Sequence, residues 1–159
     1  MERYGSALLV PLSSFADWPR GCVGTARTVT TQNASERYVV DSSGWVEYLG
    51  DGPKAEAYER FFEKPDALLL PTIIIYEVFK KLLRERGISL AEQFFDQARQ
   101  LADSTIVLDT NLAVQAARLS SETGLPMADA IIYATAHALQ AELITSDAHF
   151  SGLPGVTLI

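Results

Sequence analysis

The stretch GLPMADAIIYATAHALQAELITSD, residues 124–147, decides the fold. Pro126 is predicted to be the first residue of a helix that continues to about Gln140 and is apolar on almost every side. The next segment, ELIT at residues 142–145, is predicted to be a strand. A helix that is apolar all round belongs in a protein interior, so the carboxylate of Asp129 in its first turn needs an explanation.

The whole chain alternates between strands and helices from residue 37 onward. The predicted strands cover residues 37–40, 67–70, 105–108, 142–145 and 156–159. The predicted helices cover residues 42–49, 54–64, 71–86, 89–102, 110–123 and 126–140. Strands that are apolar throughout and are joined by helices are typical of a parallel sheet covered on both faces. The sequence therefore predicts an α/β protein with three layers, α/β/α, around a parallel sheet of four to five strands.

Residues at the ends of the helices support these boundaries. Ser42 or Ser43 is predicted to cap the first helix. Ser89 and Asp109 are predicted to cap the fourth and fifth helices, because short polar side chains accept hydrogen bonds from the free amides of a first turn. Gly87 is predicted to end the third helix, since glycine readily adopts the conformation that stops one.

Residues 1–37 differ from this pattern. The run DWPRGCVGTARTVTTQNASER, which ends them, has no sustained period of 2 or 3.6 and is rich in Gly, Thr, Ser and Asn. We expect these residues to form a poorly ordered N-terminal extension, followed by one domain over residues 38–159.

Composition excludes several classes of protein. The net charge is −7, from 13 basic and 20 acidic residues, which argues against a general coat for nucleic acid but not against a local site for it. The single cysteine, Cys22, excludes a disulfide framework and a cysteine metal pair. No apolar run approaches the roughly 20 residues of a membrane span. We therefore expect a cytoplasmic protein without a membrane partner.

Acidic residues from four places in the chain are predicted to meet at one edge of the sheet. Asp41 directly follows the first strand, and Asp147 lies two residues beyond the fourth. Glu77 is less than two turns into the helix that leaves the second strand. The helix of Asp129 must run antiparallel to the fourth strand that it precedes, which brings its N-terminus to the same edge. Function gathers at this carboxyl edge in parallel sheets.

Carboxylates that lie this close together repel one another, so some must be protonated or a cation must lie between them. Oxygen-only ligands, without histidine or cysteine, favour a hard ion, Mg²⁺ or Mn²⁺. Each acid taken singly has an ordinary interpretation. Asp129 would complement the helix dipole, Asp41 and Asp147 would be turn residues, and Glu77 would lie on a solvated helix face. Their convergence favours the metal site.

Four segments resemble the acidic motifs of PIN domains, particularly those of VapC-type toxins. They are YVVDSSGWVEYL (38–49), IIYEVFKKL (74–82), GLPMADAIIYATAHAL (124–139) and LITSDAHFSGLPGVTLI (143–159). The last two are the most specific, because the acid, the apolar helix and the T-x-D-x-x-F pattern fall in the order and spacing of that family. The resemblance covers residues 38–159, and the preceding extension departs from it.

The resemblance implies a PIN-like fold and a Mg²⁺- or Mn²⁺-dependent endoribonuclease, usually a homodimer, that a VapB-like antitoxin holds inactive. The residues that match its acidic quartet are Asp41, Glu77, Asp129 and Asp147. Ser43 and Thr145 match polar positions that commonly line the site. The ion would acidify a water for in-line attack on phosphorus, so RNA would be cut to a 5′-phosphate and a 3′-hydroxyl without a side-chain nucleophile.

Basic residues near these acids have two interpretations. Lys81 and Arg84 follow Glu77 at +4 and +7, where they would bind substrate phosphates or simply form a solvated basic face. His149 lies two residues past Asp147 and is not expected to be catalytic, because the metal already supplies the base. The apolar residues Phe79, Leu82 and Leu83 of the same helix as Glu77 are expected to face the core.

The aromatic residues of the first two helices also allow two interpretations. Trp45, Tyr48, Phe61 and Phe62 exceed the need of one small core. They would be ordinary core residues or the border of a groove for a partner helix, and the family resemblance favours the groove.

Three other classes of protein compete with the nuclease. A haloacid dehalogenase-type phosphohydrolase needs a second aspartate where this chain has Ser43. A response-regulator receiver needs a late lysine after a strand, and none stands near Thr145. A PIN-like domain that binds RNA or protein without cutting remains the third alternative, against which the intact acidic quartet argues.

Overall fold

The computed structural model of the protein describes residues 37–100 and 105–159. The strands in these residues are β1 Tyr38–Val40, β2 Leu68–Pro71, β3 Thr105–Ile106, β4 Glu142–Thr145 and β5 Val156–Leu158. The α-helices are α1 Ser42–Leu49, α2 Ala55–Phe62, α3 Thr72–Arg86, α4 Ile88–Gln100, α5 Thr110–Thr123 and α6 Met127–Ala138. The predicted N-terminal extension, apart from Arg37, lies outside the described residues.

The strands form one sheet in the order β3-β2-β1-β4-β5, and neighbouring strands run parallel. Val39 of β1 lies beside Leu69 of β2 on one side and beside Leu143 of β4 on the other. Each residue of β1 is buried, as expected for a strand whose two faces are both covered. The predicted α/β fold around a parallel sheet is therefore confirmed.

The path of the chain through this sheet creates a crevice. From β1 the chain moves outward through β2 to β3, and it then crosses back to β4 on the other side of β1. Because such crossovers are right-handed, α1 to α4 lie on one face of the sheet and α5 and α6 on the other. The connections that leave β1 and β4 diverge, so a ligand site is expected between the carboxyl ends of these two central strands.

Helix α6 links the sheet to the outer helix layer. It is buried at every residue from Ala130 to Ala136, as its all-round apolar sequence predicts. Ile132 packs in the main core with the sheet, whereas Ile131 packs against Leu112 and Ala116 of α5. This position holds the N-terminus of α6, and with it Asp129, at the carboxyl edge of the sheet.

Two predicted helix caps are wrong. Asp41, not Ser42 or Ser43, caps α1, because the chain stays extended at Asp41 (ψ 161°) and is already helical at the two serines. Ser89 does not cap α4, which begins at Ile88. Gly87, with a positive φ of 87°, is the only residue between α3 and α4. Ser89 therefore lies inside the first turn of α4 and not before it.

The other helix ends lie close to their predicted positions. Asp109 caps α5, and its Oδ1 accepts a hydrogen bond from the Leu112 amide at 2.8 Å, as predicted. Pro71 and Pro126 each stand one residue before their helices instead of at the first helical position. Both prolines keep an extended ψ, 138° and 158°, because the helical turn begins only after them.

The third strand is shorter than predicted. Thr105 and Ile106 pair with Leu70 and Pro71, and β2 ends at Pro71. Val107 therefore finds no strand partner and is 68% exposed. None of the described helices is long and apolar enough to cross a bilayer.

Candidate metal centre

Asp41 stands directly after β1 and is only 4% exposed. Its Oδ2 accepts hydrogen bonds from the hydroxyls of Ser43 at 2.8 Å and Thr145 at 3.0 Å, and from the Ser43 amide at 3.4 Å. Within the described part of the chain, no donor reaches its other oxygen, Oδ1. A nearly buried carboxylate with one oxygen held and the other unbonded favours a cation as the missing partner.

Asp129, Asp147 and His149 form a second part of the site. The Nδ1 atom of His149 lies 3.2 Å from Oδ1 of Asp147 and 3.6 Å from Oδ2 of Asp129. The His149 amide also donates to Asp147 Oδ1 at 2.9 Å, which fixes the loop after β4. One ligand atom from each of these three side chains lies within 4.8 Å of the others. The two carboxylates are thus brought together as the sequence predicts.

Glu77 is half-buried on α3 and belongs to the same electrostatic cluster. Burial raises the pKa of its carboxyl group, and the negative charges of Asp41 and Asp129 raise it further. A hydrogen bond with Ser42 and the positive charge of Lys80 act in the opposite direction. Glu77 therefore lies near both central aspartates.

Asp129 experiences the same crowding. Burial raises the pKa of its carboxyl group, and the charges of Asp41 and Asp147 add to that rise, while His149 opposes it. The four acids predicted from the sequence are thus coupled to one another at one edge of the sheet. In the described residues, no lysine or arginine forms an ion pair with any of them.

The donors present fit a divalent cation. One carboxylate oxygen each of Asp129 and Asp147 lies within 4.8 Å of the other and of a ring nitrogen of His149. Asp41 and Glu77 lie outside that group of three, but the negative charge of Asp41 raises the pKa of both Glu77 and Asp129. Negative charges that raise one another's pKa in this way favour a bound cation. A set dominated by carboxylate oxygen matches the preference of Mg²⁺ and Mn²⁺.

Ser43 and Thr145 both reach the site, since each donates a hydrogen bond to Asp41. The two predicted phosphate-binding residues are less closely placed. Lys81 and Arg84 are exposed, and Arg84 pairs with its neighbour Glu85 at 2.9 Å. The lysine whose charge acts on Glu77 is Lys80 instead. A role for Lys81 and Arg84 in substrate binding stays a prediction.

The structure adds two residues to the surroundings of the acids, His149 and Tyr58. The spacing of His149 from Asp147 was visible, but only the fold reveals that its ring also approaches Asp129. Tyr58 is fully buried on α2, and its hydroxyl forms a hydrogen bond with Ser146 Oγ at 2.5 Å. No local pattern connects residues 88 positions apart, so this contact had no sequence signal.

The predicted aromatic groove on the first two helices is not formed by its most bulky members. Trp45 and Phe62 are 1% and 2% exposed and pack edge to face, with ring centroids 4.7 Å apart. Tyr48 stacks on Phe62, and Phe61 packs against Tyr38. Trp45 and Phe62 belong to the core, and the half-buried Tyr48 and Phe61 pack against it, because α1 and α2 fold onto each other and onto the sheet.

An apolar groove is present elsewhere, between α3 and α4. It has a volume of about 640 Å³. Its lining residues are Thr72, Ile75, Tyr76, Phe79, Lys80, Leu83, Glu92 and Phe95. Leu83, which was expected to face the core, is instead 44% exposed in this groove, while Leu82 is buried as predicted. The apolar face of α3 is thus wider than the core beneath it.

Comparison with known families supports the fold and the motifs. The family model for the PIN domain matches residues 38–156. Comparison with curated proteins gives no match.

Solved structures resemble this chain over most of their length. A toxin–antitoxin complex from Klebsiella pneumoniae matches with a TM-score of 0.61 and 22% identity, covering 76% of this chain and 95% of that chain. A DNA-bound VapBC from Salmonella typhimurium matches with a TM-score of 0.63 and 15% identity, covering 77% and 96%. PAE2754 from Pyrobaculum aerophilum matches with a TM-score of 0.56 and 21% identity, covering 76% and 89%. At these identities the likeness shows the fold.

Proposed function

This chain belongs to the PIN domain family, and from that premise we propose that it is a VapC-like toxin, a metal-dependent endoribonuclease neutralised by a VapB-like antitoxin. Its substrate is RNA, and its products end in a 5′-phosphate and a 3′-hydroxyl. The observation that carries the proposal is the acidic cluster between the carboxyl ends of β1 and β4, in which Oδ1 of Asp41 has no protein donor among the described residues.

Each residue of the cluster has a proposed role. Asp41 and Asp129 hold the cation. Asp147 and Glu77 add negative charge beside it. Ser43 and Thr145 fix the orientation of Asp41. When bound, Mg²⁺ or Mn²⁺ supplies a more acidic water and offsets the charge of the phosphoryl oxygens.

The basic face of α3 is proposed to guide the RNA backbone. Lys81 and Arg84 are exposed on the helix that carries Glu77, and Lys80 lies nearer to the acids. Phosphate groups attract such side chains even though the net charge of the chain is negative.

Cleavage of RNA by the purified protein tests the proposal. Wild-type protein should cut single-stranded RNA in Mg²⁺ or Mn²⁺ and stop when EDTA is added. A domain that binds RNA or protein without cutting would retain RNA or partner binding and give no products. A phosphohydrolase of another α/β class would instead release phosphate from small phosphomonoesters and leave RNA intact.

The partner is proposed to be an antitoxin, as in the solved complexes of similar fold, with the chain itself a homodimer in the cytoplasm. The groove between α3 and α4 is suited to the apolar face of an amphipathic antitoxin helix, because Tyr76 and Leu83 are exposed there. Lys80 on the groove wall would pair with an acidic residue beside that face.

A charged residue in the groove should weaken this complex. Tyr76→Glu should release a co-expressed VapB-like antitoxin during size-exclusion chromatography while the toxin stays folded. Val114→Glu is the matched control, because Val114 is similarly exposed but lies on α5. If both variants retain the antitoxin equally, it docks on another surface.

A further inference from the structure

Helix α2 carries a polar group to the edge of the acidic site, although none of the predicted site residues lies on it. The phenol oxygen of Tyr58 lies 2.5 Å from Ser146 Oγ, in the loop that follows β4. The ring of Tyr58 is fully buried in the core. Packing alone would be satisfied by phenylalanine, whereas a buried hydroxyl is tolerated only with a partner. That partner belongs to the segment Thr145–Asp147.

Helix α1 has no side chain at Gly44, and the Tyr58 ring packs in the space that this leaves. A Cβ atom on Gly44 would lie 2.4 Å from Cε1 of Tyr58 and 2.6 Å from Cγ1 of Val40. Gly44 lies inside α1, where glycine is otherwise unfavourable by about 1 kcal/mol relative to alanine. The glycine is therefore explained by the close approach of the tyrosine ring to the helix that begins at Asp41.

Hydrogen bonds connect Tyr58 to the central carboxylate. The Ser146 amide donates to Ser43 Oγ at 3.4 Å, and the Ser43 hydroxyl donates to Asp41 Oδ2 at 2.8 Å. The Thr145 hydroxyl donates to the same oxygen at 3.0 Å.

The same segment also orients the acid that follows it. The amide of Asp147 donates to Thr145 Oγ1 at 2.9 Å. Ser146 therefore lies between Thr145, which donates to Asp41, and Asp147, an acid of the cluster. A contact that holds Ser146 in place also holds these two neighbours in place.

We propose that Tyr58 is a positioning residue of the metal centre. By holding Ser146 it keeps Ser43 and Thr145 on Oδ2 of Asp41, so that Oδ1 of Asp41 and the Asp147 carboxylate are presented to the cation. The inference rests on the proposed function, and it adds a core tyrosine of α2 to the groups on which cation binding depends.

The test is Mn²⁺ affinity, measured on the metal-free full chain by isothermal titration calorimetry. Tyr58→Phe keeps the ring against Gly44 and removes only the hydroxyl. Loss of a group that orients a metal ligand typically weakens metal binding by ~10–100-fold. Because Tyr58 reaches Asp41 only through Ser146 and Ser43, we expect a loss at the lower end of this range, with an unchanged circular dichroism spectrum and RNA cleavage that recovers at higher Mn²⁺ concentration.

Tyr38→Phe is the matched control. The Tyr38 hydroxyl also binds the region of α2, donating to the carbonyl oxygens of Phe61 at 2.7 Å and Lys64 at 3.0 Å, but at the opposite edge of the sheet. Removing it should leave Mn²⁺ affinity unchanged. Ser146→Ala should weaken Mn²⁺ binding as Tyr58→Phe does, and the double variant should be no weaker than either single one, because both act through one contact.

The outcomes separate this inference from the proposed function. If the wild-type protein binds Mn²⁺ and cuts RNA while Tyr58→Phe and Ser146→Ala bind Mn²⁺ equally well, the positioning role is wrong and the nuclease stands. Equal loss in Tyr38→Phe would mean that α2 acts only through general stability, which also overturns the role. If the wild-type protein neither binds Mn²⁺ nor cuts RNA, both proposals fail.

Discussion

The amino and carboxyl edges of the sheet differ in the surroundings of their polar side chains. At the amino edge, the Arg37 guanidinium donates to the carbonyl of Leu139 at 2.7 Å, and the Tyr133 hydroxyl donates to that of Pro154 at 3.0 Å. At the carboxyl edge, burial and mutual repulsion raise the pKa values of Glu77 and Asp129. These polar groups at the amino edge have protein partners, whereas the acids at the carboxyl edge raise one another's pKa. That difference indicates which edge carries function.

The largest expected effect comes from removing one charge at the carboxyl edge. Asp129→Asn keeps the size of the side chain, but RNA cleavage should fall more than about 100-fold because the cation is held less well. Without metal the variant should be at least as stable as the wild type, since the repulsion is relieved. Rates of cleavage of a labelled RNA and urea unfolding in EDTA measure both.

Asp109→Asn is the control for this variant. Asp109 also stands at a helix N-terminus, but it caps α5 through the Leu112 amide, and asparagine caps equally well. Cleavage and stability should both stay near wild type. A loss of cleavage equal to that of Asp129→Asn would show that any acid at a helix start has the same effect.

A methyl group at Gly44 should disturb the packing behind the carboxyl edge. Gly44→Ala places a Cβ within 2.4 Å of the Tyr58 ring, and overpacking of this kind costs about 1–3 kcal/mol. Helix propensity alone predicts a gain of about 1 kcal/mol, so the two effects have opposite signs. Urea unfolding distinguishes them, and a more stable variant would mean that the core yields to the new methyl group.

A hydroxyl removed from the amino edge should change stability alone. Tyr133→Phe loses the hydrogen bond to Pro154, which corresponds to about 1 kcal/mol in the free energy of unfolding. The rate of RNA cleavage should be unchanged, because this edge lies away from the acids. Reduced cleavage at full stability would remove the distinction between the two edges.

The smallest effect concerns pH. The folded state raises the pKa values of Glu77 and Asp129 above their ordinary 4.5 and 3.8. Protonation of these two acids therefore stabilises the folded state fully at pH values below the ordinary pKa values. That stabilisation is lost as the pH rises through the raised pKa values. In EDTA, the stability of Asp129→Asn relative to wild type should therefore increase from about pH 4 towards neutrality. A difference that stays constant across this range would mean that the folded protein does not crowd Asp129.

Much of the fold was accessible from sequence because each element carries a local signal. The apolar run of α6 and the cap at Asp109 were predicted correctly, since periodicity and capping act over a few residues. The end of β3 was not, because it depends on where the neighbouring β2 stops at Pro71.

Some features of the candidate site could also be predicted from the sequence, and others could not. The placement of Asp41 and Asp129 on one edge follows from parallel strands, which the alternation of strands and helices predicts, whereas the pairing of β1 with β4 that brings them together was not predicted. The contact of Tyr58 with Ser146 and the exposure of Leu83 depend on how helices pack on one another, and no short pattern encodes that. Tertiary packing also explains why Trp45 and Phe62 of the first two helices lie in the core and do not border a groove.

The central claim is that the carboxyl edge holds a divalent cation through Asp41. The most direct measurement is the thermal unfolding midpoint of the wild-type protein and of Asp41→Asn, each with Mn²⁺ and with EDTA. A ligand that binds only the folded state raises the midpoint, so Mn²⁺ should stabilise the wild type and leave Asp41→Asn nearly unchanged. Equal midpoints for the wild type with and without Mn²⁺, or an equal rise in both proteins, would contradict the claim.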